Sequence, residues 1–510
     1  MASRAELHAA VAATIAGGRI GAPVFVRYIV HSSNADNHAK QLRSTVNAWM
    51  AHALEPCAEV RMETTGQVSE CLQSDRALAL VSISPIAEQI EAADVTVLGT
   101  RGAIYFPTQF APPFPALPSH ESAHLPFESL ESYGILLVTG SHTHQEDYVR
   151  AFAADLRCRI VAVTDEVDVD SRRRRLNEQL ASTLGVPYLP DLDAALRRTD
   201  VHIASICAEP ERRGRIAVRC AEAGKHLYLD KPLAPRLEEA WAIVAAVAKA
   251  GRRSQMFSFV TTPWAIQAKR LIESGELGSI QAIHADTFFA KGHAGTVSRP
   301  MVRREEYPPL RHQLVDAKRE LDNIGVYPIT LIRWLTGQDF ASVHGRTANF
   351  FFAEHEQRNV EDFGLIAGAL NDGTPVTIAA GRIGWLSHPA GGVNRLIIVG
   401  SERTVTIDAN RPRLEVYAAE QPWTPPLAHP EDPMAFWTST QHESGVHPKR
   451  TWIPLAGAES DVRAFLDHLD AGSDCAVSAR EAARATEVLL AAYRSSATQT
   501  EQRLSPNSQR

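Results

Sequence analysis

Between residues 131 and 255, short and nearly unbroken apolar runs alternate with stretches whose apolar residues recur every three or four positions. The runs are Gly134–Val138, Arg159–Val163, Val201–Ile206 and His226–Leu229; the helical stretches follow to Phe152, over Ser171–Leu184 and over Arg212–Ala223. A strand that is apolar along its whole length is covered on both faces. The alternation therefore predicts βαβ units and a parallel sheet in an α/β domain. Ligands of such sheets lie beyond the carboxyl ends of the strands, so candidate chemistry is sought there.

After Met256 the pattern changes. A helix near Trp264–Ser274 ends at Gly275, and strand-like runs cover Ser279–Phe289, Ala341–Phe352, Phe363–Leu370, Pro375–Ile383, Arg395–Val399 and Thr404–Ile407. Asn371-Asp372-Gly373 is a hairpin signal between two of them. With few helices in between, residues 256–500 read as an α+β domain with a mainly antiparallel open sheet. It closes on a helix opened by the capping box Ser478 to Glu481 and running past Tyr493.

Six prolines fall in the twenty residues from Pro107 to Pro126, a stretch that suits neither a central strand nor a helix interior, so 107–130 reads as a linker. The first 106 residues mirror the last region. Ile15–Gly21 followed by Val24–Val30 matches Ile272–Gly278 followed by Ile280–Ala285. Trp49–Met62 matches Trp334–Thr347, and Val95–Ile104 matches Ile397–Val405. The expectation is a shortened copy of the antiparallel domain at 1–106, with coincidence between α+β segments as the alternative.

Length and composition narrow the class. A chain of 510 residues is long enough for about three domains. An apolar fraction of 45%, a charged fraction of 22% and a mean hydropathy of −0.17 describe a globular protein. Net charge of −7 and a pI near 6.3 argue against nucleic acid or an anionic membrane as partner. The six cysteines form no CxxC pair and no framework, which suits a reducing, cytoplasmic setting. Neither a membrane span nor a signal peptide is expected.

The most specific segment is Ala223-Gly-Lys-His-Leu-Tyr-Leu-Asp-Lys-Pro-Leu-Ala234, which sets Lys231 at the end of a short strand. Oxidising a secondary alcohol takes hydride from carbon and a proton from oxygen. A lysine ammonium at such a strand end can hydrogen-bond that oxygen and stabilise negative charge developing on it. The segment resembles the AGKHVxxEKPxA signature of the Gfo/Idh/MocA oxidoreductases. Gly325-Val-Tyr-Pro-Ile329, the Ser274–Gly278 turn and Ala491–Ser495 extend the resemblance from about Tyr133 to Tyr493.

The resemblance implies a dinucleotide-binding Rossmann domain at 131–255 and NAD(P)-dependent hydride transfer at a hydroxyl or keto carbon of a sugar, cyclitol or sugar derivative. Lys231 would polarise the oxygen. Tyr327, with its pKa of about 10 lowered by that cation, would relay the proton, and Asn323 and Asp322 would orient the substrate. Thr139, Gly140, Ser141 and His142 take the place of the glycine-rich phosphate loop with one glycine left. Asp165 stands for the acidic residue on the adenosine ribose, favouring NAD over NADP, although Arg172–Arg175 is an alternative clamp for a 2′-phosphate. Ala208-Glu209-Pro210 falls under the nicotinamide ribose, and Asp230, which replaces the glutamate of the motif, and Lys231 are expected to touch the cofactor as well.

Departures from the family pattern are Asn323 in place of aspartate and Thr330 in place of a second acid. No metal is expected: His142 and His144 are spaced i, i+2 without a paired acid or cysteine. Lys318-Arg319 suits an acidic or phosphate-bearing ligand. Family sheets commonly associate face to face, so a homo-oligomer is expected, limited to a dimer or monomer if the N-terminal copy covers that sheet. The rival functions are a non-catalytic nucleotide or sugar sensor, and a hydride shuttle between two sugars with a tightly held cofactor.

Overall fold

The computed structural model describes residues 4–18, 20–31, 45–46, 49, 59–64, 67–73, 77–84, 92–100, 103–106, 132–140, 144–290, 296–298, 301–303, 319–383, 392–408, 413–417, 449–452 and 461–504. The whole of the proposed linker, 107–130, lies outside the described residues. No described helix is long and apolar enough to cross a membrane.

The apolar runs of the middle region pair as one sheet. Strands β7 (Tyr133–Val138), β8 (Cys158–Thr164), β9 (Tyr188–Leu189), β10 (Ile203–Ile206), β11 (His226–Leu229) and β12 (Ser254–Met256) stand in the order β12-β11-β10-β7-β8-β9. Every pair is parallel. Alternate side chains of these strands enter two separate cores, Leu136 and Val138 one, Ile135 and Leu137 the other, which is why the strands read as continuous apolar runs.

The later region forms a mixed sheet. Its strands are β13 (Ile280–Ala290), β14 (Met301–Arg303), β15 (Phe340–Asn349), β16 (Phe363–Leu370), β17 (Pro375–Ile383), β18 (Gly392–Gly400), β19 (Thr404–Asp408), β20 (Arg413–Tyr417) and β21 (Lys449–Trp452), with β22 (Gln502–Arg503) paired to β15. The order is β14-β15-β16-β17-β13-β18-β19-β20-β21. Within this sheet only the pairing of β13 with β17 is parallel among the described strands.

The sequence reading carries β15 through Phe352, but the strand stops at Asn349. The Asp362 carboxylate accepts the N–H groups of Phe350, Phe351 and Phe352 at 2.9, 2.9 and 3.0 Å, so a buried side chain replaces the ladder there. Burial pushes that carboxyl up to about 6 in spite of His355 and the three amides.

One face of this sheet is covered by the helices Glu320–Thr336 and Ala479–Thr498, which join the same core as the Rossmann helix Leu237–Lys249. The other face is covered by a third sheet, at the N-terminus. It consists of β1 (Pro23–His31), β2 (Glu59–Thr64), β3 (Gln67–Gln73), β4 (Leu78–Ser84), β5 (Ala92–Gly99) and β6 (Ala103–Phe106), in the order β2-β3-β4-β1-β5-β6. Phe25, Leu78, Leu80 and Leu98 meet Phe288, Phe363, Leu365 and Ile383 there. Each fully buried aromatic or aliphatic side chain of this kind contributes about 1.5–3 kcal/mol.

After the mixed sheet the chain returns to the Rossmann unit. The sequence boundary puts the helix Asp461–Asp470 in the α+β region, yet Val462, Phe465 and Leu466 pack into the core of Tyr148, Phe152 and Tyr228. Arg157 fixes the helix through Asp467 and Asp470, at 2.8 and 2.6 Å.

Candidate active site

The chain leaves β7 for β8 on one side and returns to β10 on the other, so a crevice opens between the carboxyl ends of β7 and β10. Gln145, fully buried at the start of the helix Gln145–Ala153, spans it. Its Nε2 donates to the carbonyls of Thr139 (2.8 Å) and Ser205 (3.2 Å), and its Oε1 accepts from Ser205 Oγ at 2.9 Å.

Beside the crevice β11 runs into Asp230-Lys231-Pro232, with a cis peptide before the proline. Lys231 is only 6% exposed. Its Nζ donates to Oδ1 (2.6 Å) and the main-chain oxygen (2.9 Å) of Asn323 and lies 5.0 Å from the centre of the Tyr327 ring. Asn323 and Tyr327 sit in the first turns of the helix Glu320–Thr336, as does Asp322. Residues 92 positions apart and from two different domains thus meet at Lys231.

The environment changes the role open to Tyr327. Its ring stacks on Phe259 at 4.1 Å and 6°, with Phe257 and Phe289 at 6.2 and 5.9 Å. Burial pushes the phenol well above its ordinary value, with Asp230 adding to it, whereas a neighbouring cation alone was expected to lower it. A phenol so placed stays protonated: it can donate a hydrogen bond, and it is a poor relay. Thr330, standing where the family carries an acid, turns its hydroxyl onto the Val326 and Tyr327 carbonyls. Asp322 moves in the useful direction. Burial raises it, against the pull of Arg319 and Lys231.

A buried network behind Asn323 has no signature in the sequence. Asn323 Nδ2 donates to Glu320 Oε2 at 2.9 Å, which fixes the amide so that its oxygen faces Lys231. Glu320 also contacts Arg382 Nε (3.1 Å) and His355 Nε2 (3.0 Å). Against the cost of burial, Arg382 and His355 hold it well below the usual carboxylate range. The only cue available in the sequence is that Glu320 precedes Asn323 by three residues on one helix.

Asp230, expected at the cofactor, is turned into the protein. It is 3% exposed, and its Oδ1 contacts His144 Nδ1 and accepts from Tyr148 Oη, each at 2.8 Å, while Arg213 approaches Oδ2 at 3.4 Å. Despite burial, His144, Arg213 and Lys231 keep it well below its ordinary value. Its carboxylate therefore positions His144, at the entry to the helix after the phosphate loop. Arg213, also missed, donates to the carbonyls of Ala208 (2.7 Å) and Pro232 and so ties the β10 and β11 loops together.

At the adenosine end the expected contact is not open. Asp165 is fully buried; its Oδ1 accepts from Arg212 NH1 and the Glu166 N–H, both at 2.8 Å, and its Oδ2 from Asn177 Nδ2 at 3.1 Å. Glu209 caps the helix Pro210–Glu222 and is paired with Arg212 and Arg173; against burial, these two arginines lower it to about 2. Ala208 is buried beside it.

Gly140 is needed for close packing. A Cβ there would lie 2.5 Å from the Asn177 Cα, and the Gly140 N–H already donates to Asn177 Oδ1 at 2.5 Å. Ser141 and His142 lie outside the described residues, as does Lys318; Arg319 pairs with Asp322 at 3.5 Å.

Thr139 offers a positive sign for a dinucleotide. It holds a left-handed φ of 69°, rare for a β-branched residue, and its buried hydroxyl has no partner among the described residues. An anionic oxygen at the strand end would satisfy it. With the Lys231 amine at the other end of the crevice, the residues present fit NAD at the phosphate and nicotinamide positions. Among the described residues no group of three or more His, Cys, Asp and Glu side chains is placed to hold a metal ion.

Residues 136–258 match the oxidoreductase family with an NAD-binding Rossmann fold, and residues 265–406 match the GFO/IDH/MocA C-terminal domain, together more than half of the chain. The chain belongs to the Gfo/Idh/MocA family. Inositol 2-dehydrogenase 2 of Saccharopolyspora erythraea is 24% identical over 203 residues, 39% of this chain and 53% of that protein. The scyllo-inositol 2-dehydrogenase (NAD(+)) of Bacillus subtilis is 25% identical over 238 residues, 46% and 63% respectively. The chain thus spans about half to two-thirds of the lengths of these two relatives.

Among solved structures, levoglucosan dehydrogenase in complex with NADH and levoglucosan superposes with a TM-score of 0.57 at 18% identity, covering 73% of this chain and 99% of that one. The aldose-aldose oxidoreductase of Caulobacter crescentus gives 0.55 at 17%, covering 73% and 100%. These likenesses establish the Gfo/Idh/MocA fold for the Rossmann and mixed-sheet units. Both family matches begin beyond residue 106, so the N-terminal sheet lies outside them.

Proposed function

We propose that this protein is an NAD-dependent dehydrogenase acting on a CH–OH group of a sugar, cyclitol or sugar derivative. The observation that carries the reading is Lys231: an amine from the Rossmann strand end, fixed by Asn323 from the second domain. NAD, when bound, supplies the hydride acceptor, and Thr139, the start of the helix Gln145–Ala153 and the Ala208–Pro210 turn are the groups that would hold it.

Lys231 donates a hydrogen bond to the substrate oxygen and stabilises negative charge as it develops there. Asn323 fixes the amine and, being an amide, takes no proton. The proton passes to Asp322, the carboxyl that burial raises toward the working range. Tyr327 keeps its proton, donates to a second substrate hydroxyl and walls the pocket with Phe259 and Phe289. The substrate domain thus contributes orientation and the base, and the Rossmann domain contributes the electrophile.

A second reading, a non-catalytic sensor of the same fold, is favoured by the adenosine end, where Asn177 and Arg212 already occupy Gly140 and Asp165. Denaturing the purified protein and identifying the released nucleotide, alongside a sugar and cyclitol panel with added NAD, tests both. Free NADH formed with a substrate supports the dehydrogenase; bound nucleotide without NADH release supports the hydride shuttle; no nucleotide binding at all leaves the sensor. A cytoplasmic location is part of the proposal, on the unframed cysteines.

A further inference from the structure

The N-terminal sheet and the mixed sheet repeat one another strand for strand. The order β2-β3-β4-β1-β5-β6 is that of β15-β16-β17-β13-β18-β19, with β14 as an insertion. In each, the first strand lies in the centre, parallel to the neighbour on one side and antiparallel to the neighbour on the other.

The agreement extends to single residues. The helix before each central strand is followed by two left-handed glycines, Gly18 and Gly21 (φ 67° and 71°) in one sheet and Gly275 and Gly278 (75° and 68°) in the other. Each central strand is then bulged, between Pro23 and Phe25 opposite Gly99 and between Ile280 and Ala282 opposite Gly400. A Cβ on Gly99 would meet the Ile20 carbonyl oxygen at 2.2 Å; one on Gly400 would meet the Leu277 carbonyl oxygen at 2.1 Å. The next hairpins open from Leu98 opposite Ala103 and from Val399 opposite Thr404. The Thr100 N–H to Ala22 bond (2.9 Å) has its counterpart in Ser401 N–H to Ser279 (2.8 Å). Two unrelated α+β units can share a strand order; a shared bulge, glycine contact and turn are too many coincidences.

The sheets meet face to face with their central strands running in opposite directions. Early in β1, Phe25 lies 4.9 Å from Phe363 and in one apolar cluster with Phe288, late in β13. Midway, Arg27 NH1 lies 2.8 Å from Asp286 Oδ1, both almost fully buried. Late in β1, Ile29 clusters with Ala282, early in β13. Ala282 is the counterpart of Phe25, and Asp286 that of Ile29, so early meets late at both ends. This is the exchange made by a two-fold, self-complementary interface between identical subunits.

We infer that residues 4–106 are a second, shortened copy of the substrate-domain sheet and serve as a built-in partner. The copy occupies the face of the mixed sheet on which a second chain would dock, and it makes a two-fold interface within one polypeptide. Without it, the aromatic patch of Phe288, Phe350 and Phe363 would be exposed on that face. The inference does not depend on the catalytic reading.

The test uses the full chain with cysteines at positions 29 and 282 (Ile29→Cys with Ala282→Cys), a short thiol-bridging reagent and the two single variants as controls for the native cysteines. The expected product is a bridge within one chain, of the mass of a single chain, 55.8 kDa, under denaturing conditions. A product of twice that mass, specific to the double variant, overturns the inference. Independently, Arg27→Glu is expected to release the copy and make the chain associate as its concentration rises, and Asp286→Arg in the same chain to reverse this. If Arg27→Glu remains one chain by sedimentation with its sheet still docked, or if Asp286→Arg gives no reversal in a folded protein, the interface does not have the role assigned.

Discussion

The two repeated sheets differ most on the face turned away from each other. On the N-terminal sheet that face is filled by aromatic rings: Tyr28 stacks on Trp49 at 5.7 Å and 18°, and His8 Nε2 meets the Tyr28 hydroxyl at 2.7 Å. On the mixed sheet the same side carries Glu320, Asp322, Asn323 and Tyr327, and the Rossmann domain stands opposite with Lys231. The backbone is shared and the chemistry is not. What sets the candidate site apart is the helix laid across that face and an amine supplied by a second domain, additions that one scaffold can carry on one copy and lack on the other.

The largest effect expected is at the amine. Lys231→Ala should lower turnover by as much as about 10⁴-fold, while NAD affinity by fluorescence titration stays within about an order of magnitude, because the variant removes the contact to the reacting oxygen and the two bonds to Asn323 and leaves the phosphate end untouched. Tyr28→Phe, on the equivalent face of the N-terminal sheet, should leave turnover unchanged; a loss there would erase the contrast. Next comes the ion pair between the sheets. Arg27→Met takes the nearer cation from buried Asp286, whose Oδ2 keeps Arg395 at 3.9 Å, and should cost about 3 kcal/mol in chemical denaturation, and a cost under about 1 kcal/mol would show that the sheets are held by the apolar cluster alone.

A smaller, pH-dependent effect belongs to the catalytic side. Burial raises Glu361 from 4.5 to about 7, against its bonds from Tyr493 and the Leu321 N–H. The native state then binds the proton more tightly than the unfolded chain. The stabilisation is complete below pH 4.5 and is lost as pH rises to about 7. Glu361→Gln should therefore gain stability relative to the parent across that window, by up to about 3 kcal/mol, read as the difference between their denaturation midpoints at pH 5 and pH 8. A difference independent of pH would show the carboxyl to be ionised throughout. The smallest change is predicted for Tyr327→Phe. If the ring rather than the hydroxyl is what matters, turnover falls by less than about tenfold; a loss like that of Lys231→Ala would restore the proton relay.

Much of this fold was legible because its strands are either apolar on both sides or strictly paired with near neighbours. His226–Leu229, Phe363–Leu370 and Pro375–Ile383 emerge with the ends read from the sequence, and Ser478 caps its helix by accepting from the Glu481 N–H at 3.4 Å. That Lys231, Asn323 and Tyr327 come together was legible through motif spacing. The partners of Asn323 were not, since Glu320 meets His355 and Arg382 across 35 and 62 residues, and no local period records such a contact. The arginine partners of Asp165 and Asp230 were hidden for the same reason: a carboxylate at a strand end looks alike in sequence whether it faces a ligand or a buried arginine.

A covalently attached partner also changes how the molecule responds to dilution. Two separate chains meet by a second-order encounter and part when scarce, whereas a tethered pair sees a fixed local concentration set by its linker. The cluster around Phe25 and Phe363 should accordingly stay closed in a single molecule, and specific activity should be the same at nanomolar as at micromolar protein.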